Sequence, residues 1–142
     1  MKKTKYFAMS VLIVVVLFGL VLFSSSKYKI ISVSGKKFVA RTALTPEQQR
    51  RGLGGKTSLC FNCAMLFVFK QEGYYNFRMK DLNFDLDLLW IAGDKIVYLA
   101  KNVSRNSEDI LKPDVKADKV LEVNSGLSDR YDFKTGDKVK VY

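Results

Sequence analysis

The sequence contains no histidine among its 142 residues. This absence excludes Ser-His-Asp and Cys-His catalysis, histidine metal centres and histidine pH switches. The chain also lacks the glycine-rich patterns that bind nucleotides and dinucleotides, and the G-x-S-x-G pattern of a nucleophile elbow. Nucleotide hydrolysis, dinucleotide redox chemistry and α/β-hydrolase chemistry therefore have no support, and the sequence predicts no cofactor.

The chain has only two cysteines, and both lie in the segment Cys60-Phe61-Asn62-Cys63. A structural zinc site needs about four ligands, so one chain cannot build a cysteine and histidine cage, and we predict no metal site. A thioredoxin-like role requires this spacing at the start of a helix, whereas a strand is expected after Cys63. We predict a local disulfide, with a redox role or a metal shared between chains as the alternatives.

Proline is also scarce, with two residues, while 48% of the chain is hydrophobic and 13% aromatic. This composition is typical of a folded domain. The net charge of +10 favours encounters with phosphate-rich polymers, anionic lipid headgroups or nucleic acid. A solvated basic surface produces the same excess, so the charge alone does not define a site.

The longest apolar run extends from Phe7 to Phe23, and its single polar residue is Ser10. As a helix it spans roughly 26 Å at about 1.5 Å per residue, close to the thickness of a bilayer core. Because the preceding tail is very short, we predict that residues 1–26 form a membrane anchor with a cytosolic N-terminus and that residues 27–142 lie outside the cytosol. The alternative is secretion after cleavage of a signal peptide near Ser24 and Ser26.

Residues 27–142 contain short runs rich in β-branched and aromatic residues, separated by turn signals. We predict strands at 28–33, 38–43, 65–69, 74–79, 86–91, 95–100, 120–123 and 138–142, with the first two joined in a hairpin through Ser34-Gly35-Lys36-Lys37. Thr45, Pro46 and Gln48 predict a short helix with a capping box, and Asn124 is the expected N-cap of a second helix that ends near Tyr131. The predicted fold is mainly β (α+β), a single compact antiparallel barrel or sandwich with two short helices, preceded by the transmembrane helix.

Six segments within residues 38–140 form a recognisable series: 51–53, 64–69, 77–80, 86–88, 120–126 and 134–139. In this order they resemble the Domain of Unknown Function 192 family, and the resemblance covers most of residues 38–140. It implies a compact, mainly β fold and often an exported location, without an established activity. The chain departs from the family's usual methionine at Gly54, tryptophan at Arg78 and asparagine at Asp81, so a site lined by these positions would have a different shape and charge.

The polar residues of the matched segments are the candidate site: Arg51, Lys80, Asp81, Asp87, Glu122 and Asn124. Asp87 lies within an apolar strand, where a carboxylate must point outward or find a partner, and Lys80 is the expected partner. One interpretation is a structural ion pair or a set of turn caps. The other is a carboxylate pair, Asp87 and Glu122, that performs acid–base chemistry or binds a ligand together with Lys80 and Arg51.

Basic and aromatic residues also alternate along this part of the chain, namely Arg50, Arg51, Lys56, Lys70, Arg78 and Lys80 with Tyr74, Tyr75 and Phe77. They could form a face that binds a polyanion or a sugar chain, although half-buried strands give the same pattern. We therefore predict a membrane-anchored binding or accessory module for an anionic envelope polymer or a neighbouring envelope protein, and we do not expect nucleic acid. The alternative is an enzyme that uses the carboxylate pair.

Overall fold

The structure is a computed structural model that describes residues 27–142. The predicted membrane segment between Phe7 and Phe23 lies outside these residues, and no helix within residues 27–142 is long and apolar enough to cross a membrane. The described part of the chain contains these elements in order: β1 (Tyr28–Val33), β2 (Lys36–Ala43), α1 (Pro46–Arg51), β3 (Cys63–Gly73), β4 (Leu86–Ala92), β5 (Lys95–Val103), β6 (Ala117–Asn124), α2 (Leu127–Arg130) and β7 (Val139–Val141).

The strands of residues 27–142 form one curled seven-stranded sheet in the order β5-β4-β6-β3-β2-β1-β7. Its two edges meet at one end, where Lys95 and Lys138 form an isolated bridge. There the Ile96 N–H donates to the Asp137 carbonyl at 3.0 Å and the Ile96 carbonyl accepts from the Gly136 N–H at 2.8 Å. The sheet is therefore a half-barrel, which confirms the mainly β prediction.

The prediction of a purely antiparallel sheet is wrong at one pair of strands. β2 and β3 run parallel, with Val39 opposite Cys63 and Ala43 opposite Phe67. Parallel neighbours need a long crossover, and residues 44–62 supply it. Because α1 accounts for only a short part of that crossover, the sequence carries no long helix that would have signalled a parallel pair.

Two local predictions are present as expected. β1 and β2 form a hairpin whose turn residues, Ser34 and Gly35, have φ angles of 45° and 86°, the left-handed backbone that a two-residue turn of this kind requires. α1 begins with a capping box, in which the Thr45 hydroxyl accepts from the Gln48 N–H at 3.2 Å and the Gln48 side chain accepts from the Thr45 N–H at 3.1 Å.

The predicted strand at 74–79 is wrong, because this segment crosses over the sheet instead of joining it. It makes one isolated bridge, between Phe77 and Leu111. The indole N–H of Trp90 donates to the Tyr75 carbonyl at 2.8 Å, and the ring of Phe77 packs edge-on against Phe67 and Trp90. Side-chain packing on Trp90 therefore holds a segment whose composition resembles that of a strand.

The sheet buries apolar side chains on both faces. The inner face is the one to which all seven strands contribute, through Ile31, Phe38, Leu66, Leu89, Ile96, Leu121 and Val139. The outer face carries a second cluster around Met65, Phe67, Leu88 and Trp90. Side chains alternate between faces along a strand, so Leu121 and Glu122 point in opposite directions. The candidate site lies on the outer face.

Candidate functional site

An open cavity of about 410 Å³ lies on the outer face between α1 and residues 75–82. We call it the basic cleft, and define it by the charged residues that line it: Arg50, Arg51, Arg78, Lys80 and Glu122. Two smaller cavities, of about 340 and 310 Å³, continue from it along Lys80 and Asp81. The three cavities share Lys80 in their lining, so they are neighbours on the surface of the domain.

Aromatic side chains form the walls of the basic cleft. Phe69 and Tyr75 stack with ring centres 3.5 Å apart and planes 8° from parallel, while Phe67 meets Phe77 edge-on at 4.9 Å. The Tyr75 hydroxyl donates to the Gln71 carbonyl at 2.7 Å, which fixes the ring's orientation. The walls are therefore apolar and held in place before any ligand arrives.

Gln49 positions the helix that carries two of the arginines. Its side-chain amide donates to the carbonyl of Val68 at 2.9 Å and of Ala43 at 3.4 Å, which ties α1 to β3 and β2. Arg50 and Arg51 follow directly, at the last turn of this short helix. Their side chains thus reach the cleft from one side.

The loop after α1 joins the opposite side of the cleft at Asp81. The Gly55 N–H donates to the Asp81 carbonyl at 2.9 Å. A Cβ at Gly54 would lie 3.0 Å from the Arg51 carbonyl oxygen, closer than side chains normally approach. Glycine at position 54 therefore allows the tight turn after α1, in which the Gly54 N–H donates to the Arg51 carbonyl at 2.9 Å.

The four basic side chains at the rim are exposed to solvent. None of them forms an ion pair within residues 27–142, where the ion-paired cations are Lys101, Lys119, Lys134 and Lys138. Four positive charges with one neighbouring carboxylate, Asp81, give this apolar-walled cavity a net positive potential that attracts anions. The rim is therefore the part of the cleft that would attract an anion.

Glu122 lies at the cleft on the central strand β6, opposite Met65 of β3 and Leu88 of β4. The residue is 6% exposed, and among the described residues its Oε2 atom has no hydrogen-bond partner. Burial raises the pKa of Glu122 from 4.5 to about 8. At neutral pH the side chain is therefore mostly a neutral carboxylic acid.

Asp87 lies on the inner face and is fully buried. Its carboxylate accepts three backbone N–H groups, from Asn102 at 2.7 Å, Ser128 at 2.8 Å and Gly126 at 3.3 Å. Lys80 contributes nothing to this set, so the expected Asp87–Lys80 partnership is wrong. Asp87 is a structural carboxylate that joins β4, β5 and the start of α2.

The predicted pairing of Asp87 with Glu122 is also wrong. Asp87 is opposite Val123 in the β4–β6 ladder, whereas Glu122 is opposite Leu88, one residue out of step. The pleat of the sheet directs neighbouring residues to opposite faces, so the sheet separates the two carboxylates. They cannot work together as acid and base on one substrate.

Asn124 ties the end of β6 to the cysteine loop. Its side-chain amide donates to the carbonyls of Leu59 at 3.1 Å and Cys60 at 3.0 Å, and the N-cap of α2 is Gly126, not Asn124 as predicted. Cys60 and Cys63 form a disulfide, with the sulfur atoms 1.99 Å apart, directly before β3. Within the described residues no cluster of three or more acidic or cysteine side chains could hold a metal ion.

The basic cleft thus brings together Arg51, Lys80 and Glu122, with Asp81 beside it. Asp87 and Asn124 lie elsewhere. Of the predicted basic and aromatic face, Arg50, Arg78, Tyr75 and Phe77 line the cleft, whereas Lys56, Lys70 and Tyr74 do not. Phe67, Phe69 and Gln49 also line the cleft, but the sequence did not indicate this. An apolar strand and a polar helix do not show which other segments pack over them.

The Domain of Unknown Function 192 model, described as an uncharacterized ACR, matches residues 29–141. The chain belongs to this family. The predicted resemblance is therefore confirmed. The three positions at which the sequence departs from the usual residues, Gly54, Arg78 and Asp81, all line the basic cleft or the two cavities that continue from it.

Two solved structures share the fold of this DUF192 protein. A protein of unknown function from Novosphingobium aromaticivorans DSM 12444 is 29% identical, with a TM-score of 0.76 over 80% of this chain and 84% of that one. A proposed transcription regulator from Sinorhizobium meliloti 1021 is 27% identical, with a TM-score of 0.73 over 80% of this chain and 91% of that one. No curated protein matches the chain.

Replacing Asp87 by asparagine should destabilise the domain. The new side-chain amide would place an N–H₂ group against backbone N–H donors and would remove the charge that they stabilise. We expect the free energy of unfolding to fall by about 2–4 kcal/mol in urea denaturation. Asp114→Asn, at an exposed position, is the control and should change it by less than about 0.5 kcal/mol. Equal stability of the Asp87 variant and the wild type would contradict the structural role.

The raised pKa of Glu122 predicts a dependence of stability on pH. In the unfolded state Glu122 releases its proton above the ordinary pKa of 4.5, whereas in the folded state it keeps the proton until the pH reaches about 8. The contribution of Glu122 to the free energy of unfolding is therefore greatest below pH 4.5 and declines until the pH passes about 8. We expect a loss on the order of a few kcal/mol across this window. Glu122→Gln should remove this decline in urea denaturation, while Glu72→Gln, at an exposed position, should retain it. Identical pH profiles for the wild type and Glu122→Gln would show that Glu122 is not buried as described.

Proposed function

We propose that this DUF192 protein is a membrane-anchored extracytosolic binding module whose basic cleft holds an anionic ligand of the cell envelope. The observation that carries the proposal is the set of four exposed basic side chains, without ion pairs in residues 27–142, around one aromatic-walled cavity. Around a cavity, basic side chains concentrate positive potential where a ligand enters.

The charge at the rim selects an anion. Arg50, Arg51 and Arg78 carry planar guanidinium groups that bind a carboxylate or a phosphate through two parallel hydrogen bonds. Lys80 adds a compact charge beside them. Glu122 adds little opposing charge near neutral pH, because burial raises its pKa to about 8.

The walls select the rest of the ligand. Phe67, Phe69, Tyr75 and Phe77 present apolar ring surface that packs against an apolar or ring-shaped body. The volume of about 410 Å³ lies within the range of about 300–1,000 Å³ for small-molecule sites. The cleft therefore accommodates a small acid or one unit of an anionic polymer.

The anchor belongs to the same proposal. The apolar run between Phe7 and Phe23 ends shortly before Lys27, where the described domain begins. A domain held by such a helix on the outer side of a membrane works close to the anionic polymers of the envelope. Those polymers are the proposed source of the ligand, in preference to a neighbouring protein or nucleic acid.

Removing two arginines from the cleft should weaken anion binding. We expect Arg51→Ala/Arg78→Ala to bind poly(glycerol phosphate) and oligogalacturonate at least about tenfold more weakly than the wild type in fluorescence titration, because charge-assisted hydrogen bonds are lost. The difference should shrink as salt rises.

The matched control is Lys37→Ala/Lys140→Ala, which removes the same charge from exposed residues of β2 and β7 outside the cleft. It should bind nearly as the wild type does. Equal loss in both double variants would show that net charge alone attracts the polymers. Tighter binding of duplex DNA than of either polymer would overturn the choice of an envelope ligand.

Charges placed in the apolar run should release the protein from the membrane. We expect the full-length chain to fractionate with membranes, and Val15→Lys/Leu17→Lys to lose this association, because each central lysine costs about 3 kcal/mol on insertion. Val15→Leu/Leu17→Val is the control and should remain in the membrane fraction. Full-length protein in the soluble fraction would contradict the anchor, and a domain protected from protease on intact cells would reverse its orientation.

A further inference from the structure

The floor of the basic cleft carries a polar group that the fold itself does not use. The residues opposite Glu122 on the two neighbouring strands are Met65 and Leu88, and both are apolar. An apolar residue at this position of β6 would pack against them. A buried polar atom without a partner lowers the stability of a fold, so stability does not explain this glutamate. Its Oε2 atom is buried and has no hydrogen-bond partner among the described residues.

Asp87, on the neighbouring strand β4, is a buried carboxylate that stabilises the fold. Three backbone N–H groups converge on it. Glu122 receives no such donors, although it lies on the adjacent register position of the same sheet. Unlike Asp87, it lines a cavity that is open to solvent.

We infer that Glu122 donates a hydrogen bond from its carboxyl group to an uncharged oxygen of the ligand in the basic cleft. The inference rests on the proposed function and specifies the ligand further. The ligand carries an anionic group that reaches the arginine rim and a hydroxyl, ether or carbonyl oxygen that reaches the floor. Between the aromatic walls, this combination describes an acidic or phosphorylated sugar unit better than a fatty acid or a bare phosphate.

Ionised Glu122 would act against the same ligand. A carboxylate cannot donate, and its charge would repel the anion held at the rim. The charged and titratable groups that face the cleft with it are Arg50 and Arg51 from α1 and Tyr75, Arg78 and Lys80 from residues 75–82, while β3 and β4 present Met65 and Leu88. Glu122→Gln keeps all of these groups, so a difference between this variant and the wild type isolates Glu122.

The test uses pairs of probes that differ in their oxygens. The first pair is glucuronate and cyclohexanecarboxylate, which share a six-membered ring and a carboxylate but differ in their hydroxyl and ether oxygens. The second pair is glucose 6-phosphate and inorganic phosphate, which share the phosphate. With full-length protein in detergent at pH 6.5, we expect each sugar probe to bind roughly 10- to 100-fold more tightly than its partner lacking sugar oxygens. The tighter of the two sugar probes identifies the anionic group.

Two variants of the floor residue decide the inference. Glu122→Leu should reduce the preference for the sugar probe by at least about tenfold, whereas Glu122→Gln, which still donates from an amide, should keep part of it. Sugar binding by the wild type should weaken as the pH passes 8, and binding by Glu122→Gln should not. Infrared spectra at pH 6.5 should show a neutral carboxylic acid band that Glu122→Gln lacks.

Each failure has a distinct meaning. If the probes bind and the arginine rim is required, but Glu122→Leu leaves the sugar preference unchanged, the inference is wrong and the proposed function stands. A missing carboxylic acid band at pH 6.5 also overturns the inference alone. If no probe binds at millimolar concentration, the proposed function fails and the inference fails with it.

Discussion

The structure depends on one buried carboxylate, Asp87, and on the three backbone N–H groups that surround it. The interior of a sheet offers no water to a charge, so an unsatisfied carboxylate there would be far too costly to keep. Opposite Asp87, strand β5 forms a bulge, because Leu86 pairs with Val103 and Leu88 already pairs with Ala100. Asn102 in this bulge has a φ of 53°, and its N–H is freed to donate to Asp87. Through the same carboxylate, the turn into α2 is held against the sheet, and the register of β4 against β5 and β6 is set.

That register also determines the candidate site. With Asp87 on the inner face, Leu88 and Glu122 must lie on the outer face, beneath the cleft. One carboxylate is satisfied by the backbone and supports the fold, whereas the other is left without a partner at an open cavity. An unsatisfied buried polar group costs free energy, so the stability of the fold does not account for Glu122 as it does for Asp87. Glu122, which lines the cleft, is therefore the better candidate for a functional residue, although the sequence presents both Asp87 and Glu122 as acids within apolar strands.

The family and the related structures establish the fold of this protein without an activity. The three positions at which this chain departs from the usual family residues lie together at the cleft. Arg78 adds a cation at the rim, Gly54 permits the tight turn after α1, and Asp81 lines the two neighbouring cavities. The sheet beneath them is shared with the related structures.

Local chemistry was sufficient to predict much of this structure. Alternating apolar residues predict most of the strands, Ser34-Gly35 predicts the first turn, and Thr45 with Gln48 predicts the capping box, because each depends on residues adjacent in sequence. The cleft, the parallel β2–β3 pair and the placement of residues 74–79 over Trp90 depend on contacts between distant segments. The sequence by itself determined which residues could be buried and where the chain turns. Only the tertiary structure decided which face each carboxylate occupies, because a shift of one residue in the pairing of two strands moves every side chain to the other side of the sheet.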